Sequence, residues 1–233
     1  MTRLVPVLAL CVAVAFGVTT TGCTSTVQGA AVKAAGSVPA ADVPPLEESE
    51  LDGLLLSNKD LNEIAGADLE SFYSTDEMND NADLVSDVDC LGAIYPGEDA
   101  SYDRSDWTAV RDELLIETGA EDDAHLVEQT VVLFDTADEA VQFFEMSKDI
   151  WRDCAQTKDV MVEGGPWVPD DEQETSEHMI TQKAEVSGTI AGICQHALGV
   201  VSNLIVEGFS CDVADNDAAQ EIATRILEDV ADQ

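Results

Sequence analysis

Cys194-Gln195-His196-Ala197-Leu198-Gly199-Val200-Val201-Ser202-Asn203-Leu204-Ile205-Val206-Glu207-Gly208-Phe209-Ser210-Cys211 reads as two β-prone runs around a two-residue turn. With Ser202 and Asn203 as the turn, Val201 faces Leu204 as a hydrogen-bonded pair. Alternation outward from that pair sets Cys194 directly opposite Cys211, at a non-hydrogen-bonded site. The Cα atoms of such a site lie roughly 4.5 Å apart, at the short end of disulfide reach. A slip of one residue would turn every side chain to the wrong face, so a bridge here also fixes register.

Whether those thiols bridge depends on the compartment. Met1–Gly22 holds one basic residue, Arg3, then an apolar run from Leu4 to Val18, then small polar residues. This is the pattern of a secretory leader, and the run is too short for a comfortable transmembrane helix. Thr20-Thr21-Gly22-Cys23 resembles the lipobox of bacterial lipoproteins, with Thr20 where Leu is usual. Cys23 is therefore the expected lipidated first residue of the mature chain. Residues 23–49, rich in Ala, Val, Ser and Pro, read as a flexible tether, and 50–233 as one folded domain.

Of the six cysteines, Cys11 leaves with the leader and Cys23 carries lipid. Four remain, and an even number in an exported chain implies two disulfides with three possible connectivities. The hairpin favours Cys194 with Cys211, which leaves Cys90 with Cys154. Loop closure puts the longer bridge at about 4 kcal/mol of stabilisation and the hairpin bridge at about 3.

Elsewhere, Ser57 caps a short helix that carries Leu61 and Ile64 and stops at Gly66. Asp68 to Asn81 reads as polar and irregular, and Asp76 to Asp83 as a solvated loop without the Gly and final Glu of a calcium-binding loop. A helical turn is expected around Cys90, and strands over Trp107–Glu117, His125–Phe134 and Met179–Ala184. Thr136-Ala137-Asp138-Glu139 is a capping box opening a helix whose apolar stripe is Ala140, Phe143, Phe144, Ser147, Ile150, Trp151 and Cys154. Gly164-Gly165-Pro166 marks a loop, and Asp217-Ala218-Ala219-Gln220 a weaker capping box before a final helix. Neighbouring strands with separate capped helices make the fold class α+β.

Leu54-Leu55-Leu56-Ser57, Val85-Ser86-Asp87-Val88-Asp89-Cys90-Leu91-Gly92, Trp107-Thr108-Ala109-Val110-Arg111, Val127 to Phe134, Trp151-x-x-Cys154 and Cys194-Gln195-His196-Ala197-Leu198 occur in this order. Together they resemble the extracellular sensor domain of PknH-type mycobacterial receptor Ser/Thr kinases, a domain also found in lipoproteins. The resemblance covers residues 50–232. It implies a twisted antiparallel sheet with packed helices, two disulfides paired as above, and a solvated cleft for a ligand. It implies no enzyme. In this chain a lipid anchor is expected in place of the receptor's transmembrane segment and kinase.

The balance of 10 basic against 48 acidic residues, net −38, excludes nucleic-acid binding, which needs a basic patch. No pair among His125, His178 and His196 has metal-ligand spacing, no G-x-S-x-G is present, and no phosphate-cradling Gly loop occurs. No catalytic residue, metal or cofactor is assigned. His196 has two readings: a ring packed beside the disulfide opposite Phe209 with one nitrogen bonded, or a cleft-lining contact together with Gln195, Glu128 and Gln129. Strand alternation keeps Gln195 and His196 from lining one cleft together, and likewise Glu128 and Gln129. The expected protein is a monomeric, extracytoplasmic, lipid-anchored, non-catalytic domain that binds a small ligand or an envelope partner. The rival reading is an interaction lipoprotein without a pocket, and a hydrolase ranks last.

Overall fold

The computed structural model describes residues 43–119, 125–156, 160–163, 165–170, 172–186 and 192–233. The leader, Cys23 and most of the tether lie outside the described residues, as does Gly164. In chain order the elements are α1 (Asn58–Ala65), β1 (Leu69–Thr75), α2 (Leu91–Ile94), α3 (Asp99–Tyr102), β2 (Trp107–Glu117) and β3 (Leu126–Phe134). There follow α4 (Ala137–Gln156), β4 (Met161–Val162), β5 (Gly165–Pro169), β6 (Gln173–Ser176), β7 (Met179–Val186), β8 (Gly192–Val201), β9 (Leu204–Asp212) and α5 (Ala218–Ala231). The described strands form one antiparallel sheet in the order β1-β2-β3-β9-β8-β7-β5-β4, with β6 beside β7. Among the described residues no helix is long and apolar enough to cross a membrane.

The β8–β9 hairpin is the centre of this sheet. Ser202 takes a left-handed turn conformation (φ 51°), Val201 faces Leu204, and Cys194 faces Cys211. The Cys194–Cys211 bridge spans a Cα separation of 4.0 Å, and Cys90–Cys154 spans 5.6 Å. The turn is further held by Asn203, whose side chain accepts from Leu46 N (2.8 Å) and donates to Leu46 O (3.1 Å) and Phe134 O (2.8 Å). The domain's first contacts therefore begin within the stretch read as tether, with Leu46 buried.

Two cores lie on opposite faces of the sheet. Beneath one face α1 and α5 pack on Val127, Val131, Ala197, Leu204 and Val206 through Leu61, Ile222, Ile226 and Leu227. On the other, α2 and α4 cover Val110, Val132, Val200 and Ile205 with Ile94, Phe143, Phe144 and Trp151. The Cys90–Cys154 bridge staples α4 to the turn before α2. The stripe of α4 is buried as expected except at Ile150, which is 36 % exposed. Thr136 and Glu139 form the capping box: Thr136 N donates to Glu139 Oε2 (2.9 Å), and Glu139 N to Thr136 Oγ1 (3.3 Å).

Three expectations change. The stretch after Asp68 is not irregular but an edge strand, β1, paired with β2 by backbone bonds around a bulge between Ser71 and Tyr73. Gly165-Pro166 opens strand β5 rather than a loop, and Pro166 is tolerated because it pairs only with the short β4. The second capping box does not form, because Asp217 turns to Lys183 (2.9 Å). The first turn of α5 is satisfied instead by Asn216 Oδ1 on Ala218 N (3.0 Å) and Gln195 Oε1 on Gln220 N (3.2 Å).

Gly208 is where α5 comes closest to the sheet, since a Cβ there would lie 2.3 Å from Ala219 O. Gly208→Ala is expected to lower unfolding free energy by about 1–3 kcal/mol, read by urea denaturation. Gly53→Ala, with nothing within 4 Å of the added carbon, serves as the neutral control.

Candidate functional site: a half-covered sheet face

Helix α4 and the α2 segment cover only the half of the sheet nearest the hairpin turn. Toward the disulfide end the same face is open, and a cleft of about 300 Å³ lies there. Its floor comes from the middle strands: Leu114, Leu126, Phe209, His196, Gln182 and the Cys194–Cys211 bridge. Tyr73, Asn79, Asn81, Tyr95 and Pro96 wall one side, and Val162, Glu163 and Trp167 the other.

A polar layer separates this cleft from the apolar core under α4. At its centre Glu207 Oε1 accepts from the Tyr102 hydroxyl (2.7 Å) and Gly97 N (3.1 Å), and Oε2 lies 2.9 Å from His196 Nε2. His196 Nδ1 faces Ala93 O at 3.4 Å; a carbonyl only accepts, so Nδ1 is the donor there and Nε2 pairs with Glu207. The ring sits 4.6 Å from Trp151 and edge-on to Phe209 at 5.7 Å, between centroids. Both readings of His196 thus meet in one residue: it is packed beside the bridge, has partners at both nitrogens, and lines the cleft.

Glu128 is the second centre. Its Oε1 accepts from the Tyr73 hydroxyl (2.7 Å) and Asn79 Nδ2 (3.1 Å), while the carboxyl also bonds Asp112. Asp112 accepts from the Thr130 hydroxyl and from Asn79 Nδ2 (3.3 Å). Burial raises Glu128 well above the usual carboxylate range, and the neighbouring Asp112 charge adds to the rise. Burial raises Asp112 as well. The two carboxyl groups therefore titrate as a coupled pair, both pushed upward by burial. Burial and the two carboxyl groups push the Tyr73 phenol upward, so it stays a donor. Glu98, fully buried, is raised to about 7 by desolvation, against which Asn81 N (2.9 Å) and Nδ2 (2.6 Å) donate.

The four sequence-assigned residues divide as strand alternation requires. His196 and Glu128 face the cleft. Gln195 and Gln129 lie on the opposite face, where Gln195 caps α5 and Gln129 bonds Leu56 N (2.8 Å), Leu56 O (3.0 Å) and Glu113 (3.0 Å). Neither can reach a molecule in the cleft. Tyr73, Asn79, Asn81, Gln182 and Trp167 were missed by sequence reasoning. The loop read as solvated is turned inward at Asn79 and Asn81, because the buried carboxyls of Glu128 and Glu98 need donors. Gln182 had a signal, since it lies in the strand paired with His196.

Residues 46–229 match the PknH-like extracellular domain family. The chain belongs to that family. This PknH-like domain is 31 % identical over 191 residues to the serine/threonine-protein kinase PknH of Mycobacterium bovis and to that of Mycobacterium tuberculosis, covering 80 % of this chain. It spans about a third of the curated kinases' length: 32 % and 30 %. The crystal structure of the extracellular domain of PknH from M. tuberculosis superposes with a TM-score of 0.73 at 29 % identity. That match covers 82 % of this chain and 99 % of the other. The likeness is thus to the extracellular part of those kinases.

The buried acids set the pH behaviour of the PknH-like domain. The folded pKa values of Glu98, Glu128 and Asp112 lie above the unfolded ones, so the folded state binds more protons between about 4.3, the free Glu value, and 7. Stability is expected to rise as pH falls from 8 to about 5, followed by urea unfolding, and Glu98→Gln is expected to flatten that slope. Glu207→Ala strands the Tyr102 hydroxyl, Gly97 N and the His196 ring, with an expected loss of about 3–5 kcal/mol, whereas Glu207→Gln keeps an acceptor and loses less.

Proposed function

We propose that this domain is a non-catalytic, exported ligand-binding module that receives a small molecule in the cleft over the Cys194–Cys211 bridge. The observation that carries the reading is Gln182. It lines the cleft at 3 % exposure, its Nε2 is committed to Asp170 O (3.1 Å), and its Oε1 has no partner among the described residues. A buried acceptor left open is costly unless something donates to it. The apolar floor with few convergent polar atoms is the usual make-up of a small-molecule site. Such sites fall within roughly 300–1,000 Å³, and this cleft is at the lower bound.

In this reading the leader exports the chain and lipid on Cys23 holds a monomeric domain at the outer side of the membrane, near a small ligand or an envelope partner. The rival, a docking protein without a pocket, draws on Phe72, which is 70 % exposed on edge strand β1.

Native mass spectrometry of the lipoprotein extracted from its own envelope is expected to show a bound small molecule that is lost in Ala184→Trp, which fills the cleft floor. A bare polypeptide mass in both proteins would overturn the cleft reading in favour of docking. Cys23→Ala is expected to move the protein from the membrane fraction to the medium.

A further inference from the structure

We infer that the cleft selects an amphiphile whose head group is a protonated primary amine, an inference that rests on the cleft being a ligand site. No Lys or Arg is among the residues lining it. The acceptors there are Gln182 Oε1, without a partner among the described residues, and the carboxylate of exposed Glu163. Behind them stand the paired carboxyl groups of Glu128 and Asp112, bridged by Asn79 Nδ2 (3.1 and 3.3 Å).

Three donors of the wall are already spent. The Tyr73 hydroxyl and Asn79 Nδ2 are committed to Glu128, and Asn81 Nδ2 to Glu98. His196 Nε2 is engaged by Glu207. Nearby cations are held outside the cleft, Lys183 by Asp215 (2.5 Å) and Asp217 (2.9 Å), and Arg152 by Asp149 (3.0 Å) and Glu172 (3.3 Å). An anionic head would thus enter without a cationic partner and against the net charge of −38, which instead concentrates cations at the surface.

An ammonium group meets the opposite conditions. Its three hydrogens suit Gln182 Oε1 and the Glu163 carboxylate, and the aromatic lining of Trp167, Tyr95 and Phe209 favours a cation over a neutral head. The apolar floor of Leu114, Leu126 and the disulfide accommodates the hydrocarbon part.

The test is calorimetric titration of the whole exported protein with decylammonium, 1-decanol and decanoate, each below its aggregation limit. Salt is set at about 0.15 M, where the Debye length is about 8 Å. Decylammonium is expected to saturate at one per domain and to bind roughly tenfold or more tighter than decanoate, with Glu163→Gln narrowing that gap. Equal affinities, or a preference for decanoate or decanol, would overturn the amine inference and leave the cleft reading standing. Uptake of decylammonium that never saturates, or is indifferent to Glu163→Gln, would overturn it too, being attraction to the acidic surface at large. Failure of all three probes to bind would remove the amine inference and the cleft reading together.

Discussion

The register of the β8–β9 hairpin is the constraint on which the rest of the molecule depends. Because side chains alternate faces, its pairing decides that Glu207, Phe209 and His196 look toward α4 and the cleft while Gly208, Ser210 and Gln195 look toward α5. A one-residue slip would drive Glu207 under α5 and leave its three hydrogen-bond partners stranded. Two devices hold the register from opposite ends. The Cys194–Cys211 bridge closes the open end, and Asn203 knots the turn to Leu46 and Phe134.

From that register the cleft follows by subtraction. One face of the sheet is roofed along its whole central length, whereas the other is roofed by α4 and α2 only at the turn end. What remains is an apolar floor bordered by a belt of carboxyl groups. Those groups are tolerated because each has hydrogen-bond donors. Asn79 serves Glu128 and Asp112, Asn81 serves Glu98, and Tyr102 serves Glu207. Packing density and polar satisfaction are thus arranged layer by layer, with the cost of burying acids offset by amide and hydroxyl neighbours.

The parts legible in the sequence are those with a strong local period. The hairpin alternation and, apart from Ile150, the three-and-four spacing of α4 appear in the structure as read. Edge strands were not legible. In β1, only Leu69 is buried, so the strand exists through backbone pairing with β2, for which side chains leave no record. The same holds for β6, whose Gln173–Ser176 run has no apolar residue. At the cleft, alternation correctly separated His196 from Gln195 and Glu128 from Gln129, but not which member of each pair faced the opening. The wall residues Asn79 and Asn81 were illegible because their purpose is set by Glu128, Pro96 and Glu98, distant in the chain.

The knot between Leu46 and Asn203 has a mechanical consequence. Tension along the chain entering at Val43 is delivered first to Pro44 O, held by the Ser202 hydroxyl (3.2 Å), and to this knot, and from there into the tip of the central hairpin rather than to a peripheral strand. The antiparallel ladder of β8 and β9 then transmits the load lengthwise to a covalent stop at Cys194 and Cys211. The floor of the opening lies at the far end of that path.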